Sequence, residues 1–134
     1  MVRVVIDTNV FVSGLMKSDT PPSNVVDLFI EDKINLIISE EVFSEYIEVL
    51  LRPELKVKKD NIIRLISILI LKAEIIKVKT KLDIIERDPS DNKFLECALD
   101  GKVNYIIIGD KHLLELEEYK NIKIVNPKDF INKV

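Results

Sequence analysis

The sequence predicts a parallel α/β domain, and three observations predict it. Short apolar runs alternate along the chain with stretches of helical periodicity, as in successive β-α-β units. Acidic residues stand directly after two of those runs, where open α/β sheets gather ligand-binding groups: Asp7 ends the run at 2–6, and Asp110 follows the run at 105–109. The chain of 134 residues has no internal repeat and no low-complexity linker, so residues 1–134 are expected to form a single domain.

The elements follow in order. Residues 2–6 are the first strand, and a helical turn at 11–16 leads into a loop around 17–20. Pro21 and Pro22 suit the first turn of a helix that runs to about Glu31. Residues 36–38 form the second strand. Ser39 is a good N-cap for a helix over 40–51, with Glu40 and Glu41 at its positive end and Pro53 beyond its stop. A long helix covers 60–72 and a third strand 75–78. Asp88-Pro89 reads as N-cap and first helical residue, with Gly101 as the C-terminal stop. A fourth strand at 105–108 precedes a short helix at 111–116. A fifth strand at 122–125 precedes a last helix that starts at Asn126-Pro127.

Composition narrows the function classes. Hydrophobic residues make up 47% of the chain and charged residues 32%, enough for a core and a well-solvated surface. Three Gly and five Pro are too few for a disordered chain. The single cysteine, Cys97, excludes a disulfide framework or a cysteine metal cluster and reads as a buried small hydrophobe. The first apolar run is short and ends in Asp7, so neither signal peptide nor membrane span is expected, and the cytoplasm is the expected compartment. A net charge of −3 gives no global attraction to nucleic acid, although a metal-filled acidic site reverses the local field.

Two further acids join Asp7 and Asp110. At about 100° per residue, Phe94, Leu95, Ala98 and Leu99 define one buried face, and Asp91 lies on it; Asn92, Glu96 and Asp100 lie off it. On the earlier helix, Glu45 borders the apolar arc, while Glu41 and Glu48 point further away. Four carboxylates converging without a basic partner repel one another, and a divalent metal relieves this. Oxygen ligands favour Mg²⁺ or Mn²⁺, which implies metal-assisted phosphoryl transfer. Each residue also has a plainer reading. Asp7-Thr8-Asn9 suits a polar turn; functionally, Asp7 is a metal ligand that Thr8 or Asn9 orients. Asp110 suits an N-cap, Asp91 a first-turn acid and Glu45 a solvated side chain. Asp88 is foremost a cap, with a supporting role as the lesser option. His112, the single histidine, reads as incidental. Lysines 56, 58 and 59, with 77, 79 and 81, read as solvated faces and are also the best candidates for phosphate contacts.

With these residues in hand, the chain resembles the PIN-domain ribonucleases, in particular the toxin-like branch of bacterial and archaeal PIN proteins. The matching pieces are Val5-Ile6-Asp7-Thr8-Asn9-Val10, Ser44-Glu45, Asp91 with Phe94-Leu95 and Ala98, and Ile108-Gly109-Asp110-Lys111-His112-Leu113-Leu114. They come in the family's order. The resemblance implies a three-layer α/β/α sandwich whose parallel sheet has the order 3-2-1-4-5. It implies Mg²⁺- or Mn²⁺-dependent cleavage of RNA by a quartet of Asp7, Glu45, Asp91 and Asp110, supported by Thr8 or Asn9 and by Asp88. Candidate RNA contacts are Lys56, Lys58, Lys59 and Lys111. The partners it implies are RNA, a small antitoxin protein and a second copy of the chain. Apolar positions on the helices at 22–31 and 60–72 also point to a homodimer.

Other readings fit less well. A haloacid-dehalogenase-type phosphatase needs a second Asp two residues after the first, where this chain has Asn9. A receiver domain wants a phosphoacceptor Asp after a middle strand, where this chain has Ser39. A PIN-like RNA- or protein-binding module without nuclease activity is the non-enzymatic alternative.

Overall fold

The computed structural model describes residues 1–82, 92–109 and 114–134. Within them the order is β1 (Arg3–Ile6), α1 (Thr8–Met16), α2 (Pro21–Ile30), β2 (Asn35–Ser39), α3 (Glu40–Leu50), α4 (Lys59–Lys72) and β3 (Glu74–Ile76). Then come α5 (Asn92–Asp100), β4 (Tyr105–Ile107), β5 (Glu118–Tyr119), β6 (Ile122–Val125) and α6 (Pro127–Lys133). Asp88, Asp91, Asp110, Lys111 and His112 lie outside the described residues.

The strands form one sheet in the order β3-β2-β1-β4-β6-β5. All pairs are parallel except β5–β6. This is the expected 3-2-1-4-5 arrangement with one correction: an extra antiparallel edge strand, β5, where none was predicted. Its two residues pair Glu118 with Lys123 and Tyr119 with Ile122, too short a stretch to carry an alternating pattern. The central strands are apolar because helices cover both faces; Val4–Ile6, Leu36–Ile38 and Ile106–Ile107 are fully buried. The chain steps from β1 to β2 to β3, then crosses back to β4 and β6. Right-handed crossovers therefore place α1–α4 on one face and α5 on the other. α5 packs on β1, β2 and β4, and its N-terminal part reaches α3.

Local signals explain most boundaries. Thr20 caps α2 through a reciprocal pair of bonds with Ser23. Ser39 Oγ accepts from the Val42 N–H at 3.1 Å, and Asn126 caps α6 through the Asp129 N–H. α1 starts at Thr8, earlier than expected from residue 11, because Asp7 is its N-cap. At the end of α5 the left-handed residue is Lys102, with φ 52°, and not Gly101. Val103 N–H bonds back to Ala98 O and Lys102 N–H to Leu99 O, the Schellman closure. Gly101 is required for space instead: a Cβ there would stand 2.7 Å from Ile37 Cγ2 and 2.8 Å from Cys97 O.

Two expectations about faces need correction. Asn92 and Glu96 are buried, although the helical wheel set them off the apolar face. For Glu96 the reason is the segment after β3, which lies along the other flank of α5. Glu96 accepts from the Leu82 N–H at 2.8 Å, and Asp100 accepts from the Lys79 and Thr80 N–H groups. The dimer argument is also halved. Val25, Val26 and Phe29 of α2 are buried, and none of the large exposed hydrophobic residues belongs to that helix. The exposed ones cluster on α4 and the adjoining edge: Ile63, Ile70, Leu71 and Ile75. No helix among the described residues is long and apolar enough to cross a membrane.

Candidate active site

β1 lies between β2 and β4, so the chain's two directions of travel part at β1 and β4. Such a switch point opens a crevice at the strands' C-terminal ends. Asp7 sits there as the residue after β1 and is buried. A buried carboxylate needs hydrogen bonds to its charged form. Oδ1 accepts from the Val10 N–H at 2.7 Å, the capping bond of α1. Oδ2 accepts from the Gly109 N–H at 3.0 Å, just past β4. The Asp7 N–H in turn donates to Ile107 O at 3.0 Å. One residue therefore ties β1, α1 and β4 together at the rim.

Glu45 arrives from the opposite direction, on α3. The Thr8 hydroxyl donates to Glu45 Oε2. Of the two residues expected to orient the acids, Thr8 reaches Glu45. Asn9 is exposed and lines a separate recess of about 410 Å³ with Pro21, Pro22 and Asn126. Glu45 Oε1 meets Lys93 Nζ at 2.6 Å; the lysine side chain is 17% exposed and the glutamate 27%. Lys93 comes from α5, so this ion pair bridges the two faces of the sheet at its C-terminal rim.

Beneath the acids lies Tyr46. Its ring stacks on Phe11 with centroids 4.3 Å apart, and its hydroxyl donates to the Ile6 carbonyl, one residue before Asp7. Complete burial raises the Tyr46 phenol well above its ordinary pKa, helped by the negative charge of Asp7. It stays neutral and acts as a fixed donor. Burial likewise pushes the Cys97 thiol up to about 12, so that cysteine is an inert core residue. Neither Tyr46 nor Lys93 was singled out in the sequence. Tyr46 reads as one more apolar-arc residue beside Glu45. Lys93 carried no signal, being one lysine of a helix whose expected start lies at Asp88-Pro89.

A cleft of about 920 Å³ opens beside Glu45 between α3, the end of β3 and the start of α5. Glu40, Glu41 and Glu48 line it along with Glu45, Lys77 and Lys93. Glu41 and Glu48 are exposed, as expected, yet they face this cleft. Of the candidate RNA lysines, Lys77 lines this cleft and Lys111 lies outside the described residues, while Lys56, Lys58 and Lys59 are elsewhere. Lys56 and Lys58 line a groove with Met16 and Leu50, the far ends of the helices whose near parts carry Asp7 and Glu45. α1 alone spans about 13 Å, so these lysines, and Lys59 beside them, stand roughly a helix length from the acids.

Among the described residues, no group of three or more acidic, His or Cys side chains is placed to hold a metal. Asp7 and Glu45 are the two members of the expected quartet inside that set. Their donor chemistry fits a hard divalent cation: two carboxylates, positioned by Val10, Gly109 and Thr8.

The PIN domain family profile matches residues 3–112. The chain belongs to the PIN domain family. It is 36% identical over 143 aligned positions to the uncharacterized protein MJ1680 of Methanocaldococcus jannaschii, covering 98% of this chain and 91% of that one. Among solved structures it resembles a chain of VapBC2 from Rickettsia felis, crystallised bound to a DNA fragment from the VapBC2 promoter. The TM-score is 0.59 at 18% identity, over 92% of this chain and 98% of that one. At that identity the likeness is one of fold.

Proposed function

We propose that this PIN-domain protein is a divalent-metal-dependent endoribonuclease, the toxin of a toxin–antitoxin pair. The observation that carries the reading is Asp7. It is a buried carboxylate at the switch point of the sheet, held in place by the backbone N–H groups of Val10 and Gly109. Thr8 couples it to Glu45, and the sequence supplies Asp91 and Asp110 as the remaining acids of the quartet, with Asp88 as a supporting residue.

When bound, Mg²⁺ or Mn²⁺ would neutralise the phosphodiester and lower the pKa of an attacking water. The chain's own residues do the rest. Asp7 and Glu45 present oxygens in fixed positions. Val10, Gly109 and Thr8 prevent their rotation, and the Tyr46–Ile6 bond braces the strand end that carries them. The cleft beside Glu45 gives a nucleic-acid strand a path to the acids. No protein nucleophile is required: Cys97 is buried and its thiol held protonated.

The partners follow the same reading. RNA is the substrate. A small antitoxin protein is proposed by analogy with the paired VapBC2 assembly, whose chain shares this fold. A second copy of the chain is proposed on the exposed apolar side of α4. The test is a time course on single-stranded and hairpin RNAs in Mg²⁺ or Mn²⁺, wild type against Asp7→Asn/Asp110→Asn. Wild type should cut and the double variant should not. A wild type inert on the whole panel removes the enzyme and leaves a binding module. Equal cutting by both proteins would place the activity outside this site.

A further inference from the structure

Among the described residues, Lys93 is the cation that touches an expected site acid and that the proposed chemistry leaves without a part. It stands on α5, which carries it to the rim beside α3. Its side chain is mostly covered, its ammonium 2.6 Å from Glu45 Oε1 and 5.7 Å from the Phe94 ring centroid. The charge of Glu45, 2.6 Å away, is what holds this largely covered ammonium. Glu45 is thereby engaged at both oxygens, by Thr8 on one and Lys93 on the other.

A divalent cation on Glu45 would stand within ångströms of the ammonium. Like charges that close repel, so cation and lysine compete for the same carboxylate. The cleft beside them gives Lys93 a place to go. Its wall is acidic at Glu40, Glu41 and Glu48, and among the described residues Lys93 and Lys77 are its cations. A phosphate entering such a cleft needs a cation at the point where it approaches the acids.

We propose that Lys93 is a built-in counter-ion that holds Glu45 in place before metal binds, yields to the divalent cation, and then contacts a phosphate of the RNA strand lying in the cleft. The inference rests on the nuclease reading and makes Lys93 a positioning residue. Before metal arrives, the ion pair offsets the repulsion among the acids. Afterwards the same ammonium is free at the mouth of the cleft.

The experiment is a calorimetric Mn²⁺ titration of the full chain, comparing wild type with Lys93→Met, Lys93→Gln and Lys93→Arg, with melting temperatures measured on the same samples. Both neutral variants should bind Mn²⁺ at least about fivefold more tightly, since the competing charge is gone. The arginine variant should stay near wild type. A second arm measures anisotropy of a short single-stranded RNA with Ca²⁺ as the metal, under conditions first checked to leave the RNA uncut. There the neutral variants should lower the slope of log affinity against log salt by about one. Unchanged or weaker Mn²⁺ binding in a folded neutral variant overturns the counter-ion role and leaves the nuclease reading standing. An unchanged salt slope overturns the phosphate contact. Neutral variants that melt far below wild type overturn the proposal too, because the pair is then a strut of the fold. A wild type that binds no Mn²⁺ overturns the nuclease reading and this inference with it.

Discussion

The C-terminal rim of β1 and the outer edge at β3 and α4 belong to the same sheet sandwich and are built on opposite terms. At the rim, polar groups are buried and bonded: Asp7 to two N–H groups, Thr8 to Glu45, Tyr46 to the Ile6 carbonyl. At the edge, apolar groups face outward: Leu71 is 83% exposed, and Ile63, Ile70 and Ile75 each about half. The difference follows from position in the sheet. β1 has a neighbour on each side and helices on both faces, so a charge placed there must be satisfied by the protein. β3 has one neighbour, and α4 packs on α2 and α3 with its outer side bare. Buried, bonded polar groups gather where the sheet is flanked on both sides, and bare apolar surface is left where a layer ends.

The largest expected effect is at the rim. Asp7→Asn keeps the shape and one acceptor oxygen but removes the charge, so metal binding and RNA cleavage should fall at least about 100-fold. The retained oxygen can accept from only one of the Val10 and Gly109 N–H groups and the amide NH2 faces the other, so about 1 kcal/mol of stability should be lost as well. Asp7→Ala removes the cap and the Gly109 tether together and should also destabilise the fold by about 1–2 kcal/mol. The contrast is read by denaturant unfolding beside the cleavage assay. Wild-type stability in Asp7→Ala would show that Asp7 does not join β1, α1 and β4 as described.

Between rim and edge lies the sheet–helix contact that sets where α5 begins and ends. Gly101→Ala forces a Cβ against Ile37 Cγ2 and the Cys97 carbonyl. Overpacking of this kind should cost about 1–3 kcal/mol in urea unfolding. The Gly101 carbonyl also accepts both Nε and Nη2 of Arg3, at 3.1 and 2.7 Å, so a shift there disturbs the start of β1. Wild-type stability in Gly101→Ala would show that α5 has slack against the sheet.

At the edge, the proposed homodimer gives a smaller effect. Leu71→Glu together with Ile63→Glu should weaken self-association by about tenfold or more, seen by light scattering across micromolar concentrations, with the monomer fold intact. Those residues are exposed already, so their loss opens no cavity. A wild type that is monomeric at tens of micromolar would mean that the bare face of α4 is not a surface between copies.

The same contrast accounts for what could be read in the sequence. Strands with neighbours on both sides announce themselves as apolar runs, and helices that start with a capping residue announce their starts: Ser39 and Asn126 were both legible. Asp7 and Glu45 stood out because each acid interrupts or borders an apolar face. What stayed hidden depends on contacts between distant segments. No periodicity pairs Lys93 with Glu45 across the sheet. The burial of Glu96 comes with the Leu82 N–H bond, from a segment that only the fold lays along α5. β5 is held by backbone pairing alone, and its two residues could as well have been loop. Asp7-Thr8-Asn9 suits a turn by composition, and the bond from Val10 that makes it a helix start is visible only in three dimensions.

The smallest expected effect concerns the strap over α5. Asp100 accepts from the Thr80 hydroxyl at 2.5 Å and from the Thr80 and Lys79 N–H groups at 2.9 and 2.6 Å. The Thr80 hydroxyl, then those N–H groups, hold its carboxyl below the usual carboxylate range. A depressed folded-state pKa contributes stability above the unfolded value, about 3.9 for Asp, and that contribution is lost as pH falls through the lower folded value. The Arg3–Glu74 pair lowers Glu74 and titrates in the same direction, so wild type alone cannot separate the two. Asp100→Asn isolates the strap. It should melt slightly below wild type near pH 6, with the gap closing toward about pH 3 as wild-type Asp100 takes up its proton. Both carboxyls are largely solvated, so the gap should be a few degrees at most. A gap that persists unchanged at low pH would mean that the strap is held by shape and by Glu96, and that the charge of Asp100 contributes nothing to it.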